Sequence, residues 1–247
     1  LETPANPTMQ IHRIRSATEW ARMHEKEDNR IIVGVDNTYL GPILQRPLDH
    51  DADVLLYSAT KYIGGHSDLI SGAASGKSDV VSRIREYRNF LGGVADPNTC
   101  WMLLRSMETL AVRVKHQQTV AEKVFAHLRN HPKVDRFISA WSEDLPEADR
   151  AVAAEQMIGG GAMAAFEVAG GRAAAFRVLN AFRHFQLAVS LGSTESLAEH
   201  PASMTHAGVP ADVKAQFGIT EGLIRISVGI ERPDDLIADL DHALAQV

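Results

Sequence analysis

With a single cysteine, Cys100, in 247 residues, this chain cannot close an internal disulfide, and the scarcity suits a reducing cytoplasm. Cys100 lies in Asn98-Thr99-Cys100-Trp101 beside an expected helix start and reads as packing, not as a nucleophile. No apolar run approaches the roughly twenty residues that cross a bilayer, and no basic start leads into an apolar stretch, so neither a membrane helix nor a signal peptide is expected. A basic excess is missing as well. Lys and Arg total 25 against 31 Asp and Glu, and the pI near 6.0 leaves no electrostatic footprint for nucleic acid. Gly159-Gly160-Gly161 and Gly170-Gly171 lack a following Lys-Ser/Thr, so they read as strand-end glycines and not as a phosphate loop. The histidines offer no two-His helical pair with a third partner at ligand spacing, and no metal is expected. What remains is 45% apolar, enough to bury a core in one large domain or two small ones.

Among what is present, Tyr57-Ser58-Ala59-Thr60-Lys61-Tyr62 is the most informative stretch. Ala52 to Tyr57 reads as a buried strand, stopped by Gly64-Gly65-His66. A lysine there can leave solvent, lose its proton and attack an aldehyde. Ser58 and Thr60 alternate on an extended backbone, which puts both hydroxyls on one side, suited to a phosphate. On these six residues alone, a solvated lysine at a strand end is the better reading. Upstream, Ile31-Ile32-Val33-Gly34-Val35 reads as a strand buried on both faces of a parallel sheet, ending in Asp36-Asn37-Thr38. Asp36 fits a turn cap. It also stands where open α/β sheets bind ligands, at the carboxyl end of a strand. Leu40 to Asp51 is long enough for the crossover between the two strands. An acid and a lysine at two strand ends, with hydroxyls adjacent, match what pyridoxal phosphate needs at its ring nitrogen, aldehyde and phosphate.

These residues carry a resemblance. Val35-Asp36-Asn37-Thr38, Gln45-Arg46-Pro47-Leu48, Ala52-Asp53, Ser58-Ala59-Thr60-Lys61-Tyr62 and Gly64-Gly65-His66-Ser67-Asp68 closely resemble the Cys/Met-metabolism, or transsulfuration, family of pyridoxal-phosphate enzymes. The likeness extends to Glu2-Thr3-Pro4-Ala5-Asn6-Pro7, Asp96-Pro97, Leu103-Leu104-Arg105-Ser106 and Ser190-Leu191-Gly192. It resumes at His200-Pro201-Ala202-Ser203-Met204-Thr205-His206 and at Leu223-Ile224-Arg225-Ile226-Ser227-Val228-Gly229, so the matched blocks span the chain in the family's order.

The resemblance implies a pyridoxal-phosphate fold of type I, an α/β domain with a mostly parallel sheet and helices on both faces, plus a smaller α+β C-terminal domain. It implies pyridoxal 5'-phosphate as cofactor, with Lys61 as the lysine that joins its aldehyde and moves protons on the substrate. Asp36 is implied to pair with the ring nitrogen, Ser58 and Thr60 to hold the phosphate, and Asn6 to lie near the phenolic oxygen and the substrate carboxylate. Arg225 is implied to grip that carboxylate, with Ser190 and Thr205 in the substrate site. An edge-strand surface arginine is the plain alternative for Arg225. Alternation of Ile224, Ile226 and Val228 argues against it, placing Arg225 with Ser227 on the opposite face. For His66, His200 and His206, inside matched blocks, structural hydrogen bonding is the expected use. The family further implies an amino-acid substrate and a homo-oligomer, a dimer of dimers, without nucleic acid or membrane.

Two domains are expected: residues 1–112, the lysine-bearing part of the large domain, and 113–247, a linking helix and the C-terminal α+β domain. In the first, helices are expected at Ile11 to Met23 (stripe Ile14, Ala17, Trp20, Ala21) and Val80 to Asn89, with a strand at Leu69 to Ala74. One long helix is expected from Trp101 to Asn130, its apolar series beginning Leu103, Leu104, Met107 and ended by His131-Pro132. Beyond it, strands are expected at Gly161 to Val168, Phe185 to Leu191 and Ile224 to Ile230, and helices at Arg172 to Phe182 and from Pro233. Because the sequence opens at Leu1, inside a family block, an excerpt of a longer polypeptide is expected. The family's upstream region normally supplies a ring-stacking tyrosine, further phosphate donors and an arm to the neighbouring subunit's site.

For the reaction, the wording around Ser190-Leu191-Gly192 and Pro201 to His206 is closest to methionine γ-lyase and the cystathionine γ-lyase and γ-synthase types, which implies α,γ-elimination on a sulfur amino acid. The alternative is γ-replacement, by a cystathionine γ-synthase or an O-acyl-homoserine sulfhydrylase. A third reading is a catalytically inactive protein of the same fold. Two departures stand out: Glu199, where many relatives are uncharged and where an added carboxylate at the substrate mouth would disfavour acidic substrates, and the polar insertion Glu25 to Arg30, expected to be a surface turn.

Overall fold

The computed structural model describes residues 1–247, except for the side chain of Ser142. The chain opens with α1 (Ile14–His24), then β1 (Gly34–Asp36), the short α2 (Gly41–Leu44), β2 (Val54–Ser58) and β3 (Gly72–Gly76). Helices α3 (Ser78–Leu91), α4 (Pro97–Met107) and α5 (Leu110–Arg129) follow. After β4 (Arg136–Ser139) come α6 (Glu147–Gln156), β5 (Met163–Glu167), α7 (Gly171–Ala181), β6 (Gln186–Leu187) and β7 (Leu197–Glu199). The chain ends with α8 (Ala211–Gln216), β8 (Leu223–Ser227) and α9 (Pro233–Leu244).

Strands β1 and β2 pair in parallel, as their apolar runs and the crossover between them require, with Asp36 opposite Leu56. β3 pairs antiparallel to β2, with Ser58 opposite Gly72, so one of the two ladders in this half departs from the parallel expectation. The connection from β2 to β3 holds turns and no crossover helix, so the chain comes back antiparallel. The second sheet has the order β4-β5-β8-β7-β6, antiparallel except for the β6–β7 pair. The strand expected from Phe185 to Leu191 shrinks to Gln186–Leu187, because Val189 and Ser190 turn their carbonyls to Arg225 instead of to a ladder.

One face of the second sheet carries the main core. Phe166, Ile224, Ile226 and Val228 pack there against Val124, Phe125 and Leu128 of α5, Val178 and Leu179 of α7, and Leu236 and Leu240 of α9. The alternation read from the sequence thus sends Arg225 and Ser227 to the opposite face. A second apolar cluster lies between the halves: Met9, Tyr39 and Tyr62 from the first, Met163 and Leu191 from the second, with Leu110 and Val114 of α5. That cluster brings the Lys61 turn against the second sheet.

The single long helix is in fact two. Thr109 breaks it: its hydroxyl bonds to the Ser106 carbonyl, and the Arg113 guanidinium takes the same carbonyl at 3.0 Å, so the helical ladder loses that acceptor. Leu104 and Met107, expected in the core, are exposed; the buried stripe runs from Leu110 to Leu128. In α1 the buried stripe is Ile14, Thr18, Ala21, and Trp20 instead stacks on His24 at the surface, centroids 4.2 Å apart. Among the described residues no helix is long and apolar enough to cross a membrane.

A candidate active site at the meeting of the two sheets

Asp36 ends β1, and its Oδ1 accepts the Thr38 N–H at 3.0 Å, the turn-cap bond anticipated for Asp before Asn-Thr. The Thr38 hydroxyl in turn accepts the Ser58 N–H at 2.9 Å, tying the carboxyl ends of β1 and β2 together. By register Asp36, Leu56 and Ser58 share one face of the sheet, and the 44% exposure of Leu56 shows that this face is open to a ligand. Among the described residues, no side chain takes up the Ser58 hydroxyl. Thr60 does not follow the alternation. β2 ends at Ser58, and Thr60 lies in the turn, its hydroxyl accepting the Ser71 N–H at 3.0 Å and donating to the Ser71 carbonyl.

The turn closes through Lys61 N–H to Ser58 C=O at 3.0 Å and Gly64 N–H to Ala59 C=O at 2.7 Å. It presents a half-buried Lys61 whose Nζ donates to Ser190 Oγ at 2.9 Å. Burial first, and then the Arg225 charge, lowers the lysine's pKa from its ordinary 10.5, against an opposing pull from Glu199. Gly192 is required where it stands: its φ is +77°, and a Cβ there would meet the Tyr62 backbone nitrogen at 2.9 Å. Its N–H donates to Ser227 Oγ at 2.8 Å, which seats the Ser190 loop on β8.

Arg225 is 2% exposed, on a strand interior to the sheet, so the edge-surface reading does not hold. Nη1 bonds to Asn6 Oδ1 at 3.1 Å, and Nη2 to the Val189 and Ser190 carbonyls at 2.9 and 3.0 Å. Sequence reasoning missed Tyr39, three residues after Asp36, whose hydroxyl donates to Asn6 Oδ1 at 2.6 Å and so fixes that amide toward Arg225. Glu199 does not stand at a mouth open to solvent. It is fully buried, 2.7 Å from Arg225 Nη1. Thr205 turns its hydroxyl to Glu199 Oε1 at 2.9 Å. His200 bonds Ser203 and the Glu221 carbonyl, and His66 the Gly64 carbonyl, structural uses as expected; His206 contacts the Thr205 hydroxyl at 2.9 Å beside the site.

Away from this site, His127 and His131 stand four residues apart and meet Asp241 of α9, all three ligand atoms within 4.8 Å of one another. Sequence reasoning missed this constellation because its third member comes from a distant helix. Lys133 N–H donates to His131 Nδ1 at 3.2 Å, so the ring's proton sits on Nε2, facing Asp241 at 3.5 Å, and the trio reads as a clasp between α5 and α9.

The donor set suits pyridoxal phosphate on structural grounds: a half-buried carboxylate and an uncommitted hydroxyl on one open sheet face, and a lysine whose charge is disfavoured. Two buried polar atoms beside this set, Arg225 Nε and Glu199 Oε2, lack partners.

Comparison with known proteins agrees. An L-methionine gamma-lyase from Pseudomonas deceptionensis is 42% identical over 98% of this chain and 60% of its own length. The crystal structure of a cystathionine gamma-lyase from Lactobacillus plantarum superposes with a TM-score of 0.92 at 38% identity, covering 100% of this chain and 63% of that one. A cystathionine gamma synthase structure from Xanthomonas oryzae pv. oryzae gives 0.92 at 39%, covering 100% and 62%. The chain therefore spans about three fifths of the length of the relatives it matches. Residues 1–245 match the sequence model described as "Cys/Met metabolism PLP-dependent enzyme", and the chain belongs to that family of pyridoxal-phosphate-dependent enzymes.

Proposed function

We propose that this chain is the lysine-bearing and C-terminal part of a pyridoxal-phosphate carbon–sulfur lyase that acts on a sulfur amino acid by α,γ-elimination. The observation that carries the reading is the convergence of a charge-disfavoured Lys61 and a buried Arg225 on Ser190, one through its hydroxyl and the other through its carbonyl. Pyridoxal phosphate, when bound, supplies an electron sink for negative charge at the substrate's Cα.

Lys61 and Asp36 would hold the cofactor's aldehyde and ring nitrogen, and Ser58 its phosphate, with Thr60 joining once its hydroxyl gives up the Ser71 carbonyl. The Asp36 carboxylate would pair with the ring nitrogen and favour its protonated form. Arg225, anchored by two main-chain carbonyls, orients the substrate carboxylate, with Asn6 aligned by Tyr39 beside it. The neutral Nζ of Lys61 is a mobile base in reach, able to take the Cα proton and then a Cβ proton before the γ-substituent leaves. Ser190 holds Nζ on that side of the site.

Likeness to the gamma synthase structure supports γ-replacement as the second reading. Full-length protein incubated with methionine alone separates the two: release of 2-oxobutanoate and methanethiol is the lyase result. Product that appears only with an activated homoserine ester and a thiol together makes it a γ-replacement enzyme. A colourless protein with no borohydride adduct at Lys61 leaves the inactive-fold reading. The reading also includes a domain boundary near residues 112 and 113, self-association as a dimer of dimers and a cytoplasmic location, supported by family membership and by the lone Cys100.

A further inference from the structure

A guanidinium carries five N–H hydrogens. In Arg225 both on Nη2 go to main-chain carbonyls and one on Nη1 goes to Asn6 Oδ1 at 3.1 Å, while Glu199 Oε1 stands 2.7 Å from the same Nη1 as an ion pair. Nε has no partner at all, and it is buried. A carboxylate grips arginine through two parallel hydrogen bonds, and one arriving at Nη1 meets the Glu199 carboxylate already paired there. Of the four oxygens set against Nη1 and Nη2, only that of Glu199 belongs to a carboxylate.

Glu199 on β7 has no solvent exposure, and while Oε1 also accepts the Thr205 hydroxyl, Oε2 has no donor at all. The charged groups facing it are Arg225 from β8 and Lys61 from the turn after β2. The titratable neighbours are Tyr39 and, through Thr205, His206. We propose that Glu199 is a built-in place-holder on Arg225, displaced when the substrate carboxylate arrives, and that the exchange takes up one proton at Glu199 Oε2. The proposal rests on Arg225 being the carboxylate-binding residue.

The physical reason is charge. Two carboxylates on one guanidinium, out of water, cannot both stay ionised at low cost. Lys61, once joined to the cofactor, no longer offers Glu199 a free ammonium. Burial, the largest influence, already pushes the Glu199 carboxyl up, against Arg225, Thr205 and Lys61, and losing Arg225 pushes it further. Tyr39 is raised by burial and stays protonated, whereas His206 is lowered by burial and by Arg225 and is the competing acceptor that a variant must separate. The oxygen that lacks a donor becomes the one that bears the proton.

The test is calorimetry on the full-length, cofactor-loaded protein with 4-(methylthio)butanoate, which has a carboxylate but no amine to condense. Titrations in two buffers of different ionisation enthalpy count protons. Uptake of up to about one proton per bound carboxylate is expected, with Kd weakening as pH rises, by at most about tenfold per pH unit. Glu199→Gln should abolish the uptake and flatten the profile, while His206→Asn keeps both. Binding by the unaltered protein without proton uptake and with a flat Kd overturns the proposal, whatever becomes of the variants. If Arg225→Gln then still abolishes binding, the carboxylate role of Arg225 survives on its own. Tight binding to Arg225→Gln, or no binding to the unaltered protein at any pH, removes both.

Discussion

Lys61 Nζ donates to Ser190 Oγ at 2.9 Å, although 129 residues separate them in the chain. The bond couples a turn at the end of one sheet to a loop seated on the other, and it holds the amine beside Arg225. Replacing Lys61 with Ala should lower turnover by about 10²–10⁴-fold or more, the range of a lost proton-transfer group, and remove the borohydride-trapped cofactor. Asp36→Asn should retain the trapped adduct and still lose turnover. Full activity in Lys61→Ala would refute the assignment.

The direction of the Lys61 shift makes cofactor loading depend on pH. The neutral amine is the form that attacks an aldehyde, and burial and Arg225 favour that form. In the unloaded protein the penalty for keeping the amine charged shrinks as pH rises through the lowered pKa toward 10.5. Stopped-flow absorbance of pyridoxal phosphate uptake should therefore reach half its maximal rate below pH 10.5, and Arg225→Gln should move that midpoint up. A midpoint at or above 10.5 is the contrary result.

Tyr39→Phe removes one hydrogen bond to Asn6 and nothing from Arg225 itself. The Asn6 amide is then oriented by Arg225 alone, so KM for the amino-acid substrate should rise about tenfold, the worth of one neutral hydrogen bond, while kcat changes less. Equal losses in kcat and kcat/KM would show instead that Tyr39 acts in the transition state.

Asp53, fully buried, accepts the Val33 N–H at 2.8 Å and meets Arg22, Arg30 and Lys77 at 2.8, 2.6 and 2.8 Å. Although burial alone would raise it, these partners hold its carboxyl far below the ordinary 3.8. A depressed carboxyl pKa contributes stability that is present above 3.8 and disappears as pH falls through the lower, folded value. Asp53→Ala should cost about 1–3 kcal/mol in urea unfolding near neutral pH, toward the low end because the three cations are each at least a third exposed and can rehydrate. The gap between variant and parent should close in strong acid. An undiminished gap there would mean packing, not charge, sets the cost.

Packing is tested separately by Phe166→Ala. Phe166 has no exposure and sits where β5 meets the helical layer, so its loss should cost about 3–5 kcal/mol by thermal or urea unfolding. A cost under about 1 kcal/mol would mean that the core closes over the cavity.

Short-range pattern was enough for much of this molecule. The apolar run ending in Asp36, the second ending before Lys61, and the alternation of Ile224, Ile226 and Val228 each follow from the period of a strand, and each put its polar residue on the side the structure shows. Where a local pattern competed with a distant partner, the partner won. Thr60 looked like a strand residue until the Ser71 backbone claimed its hydroxyl, and the run from Trp101 to Asn130 looked like one helix until Arg113 and Thr109 took the Ser106 carbonyl. The amino-acid order by itself determined the main apolar runs and which residue types stand at their ends, because those are matters of periodicity and propensity within a few residues. Only the tertiary structure decided that Glu199 holds Arg225, that Tyr39 aligns Asn6 and that Ser190 holds Lys61, because burial and long-range approach set the electrostatics of those pairs.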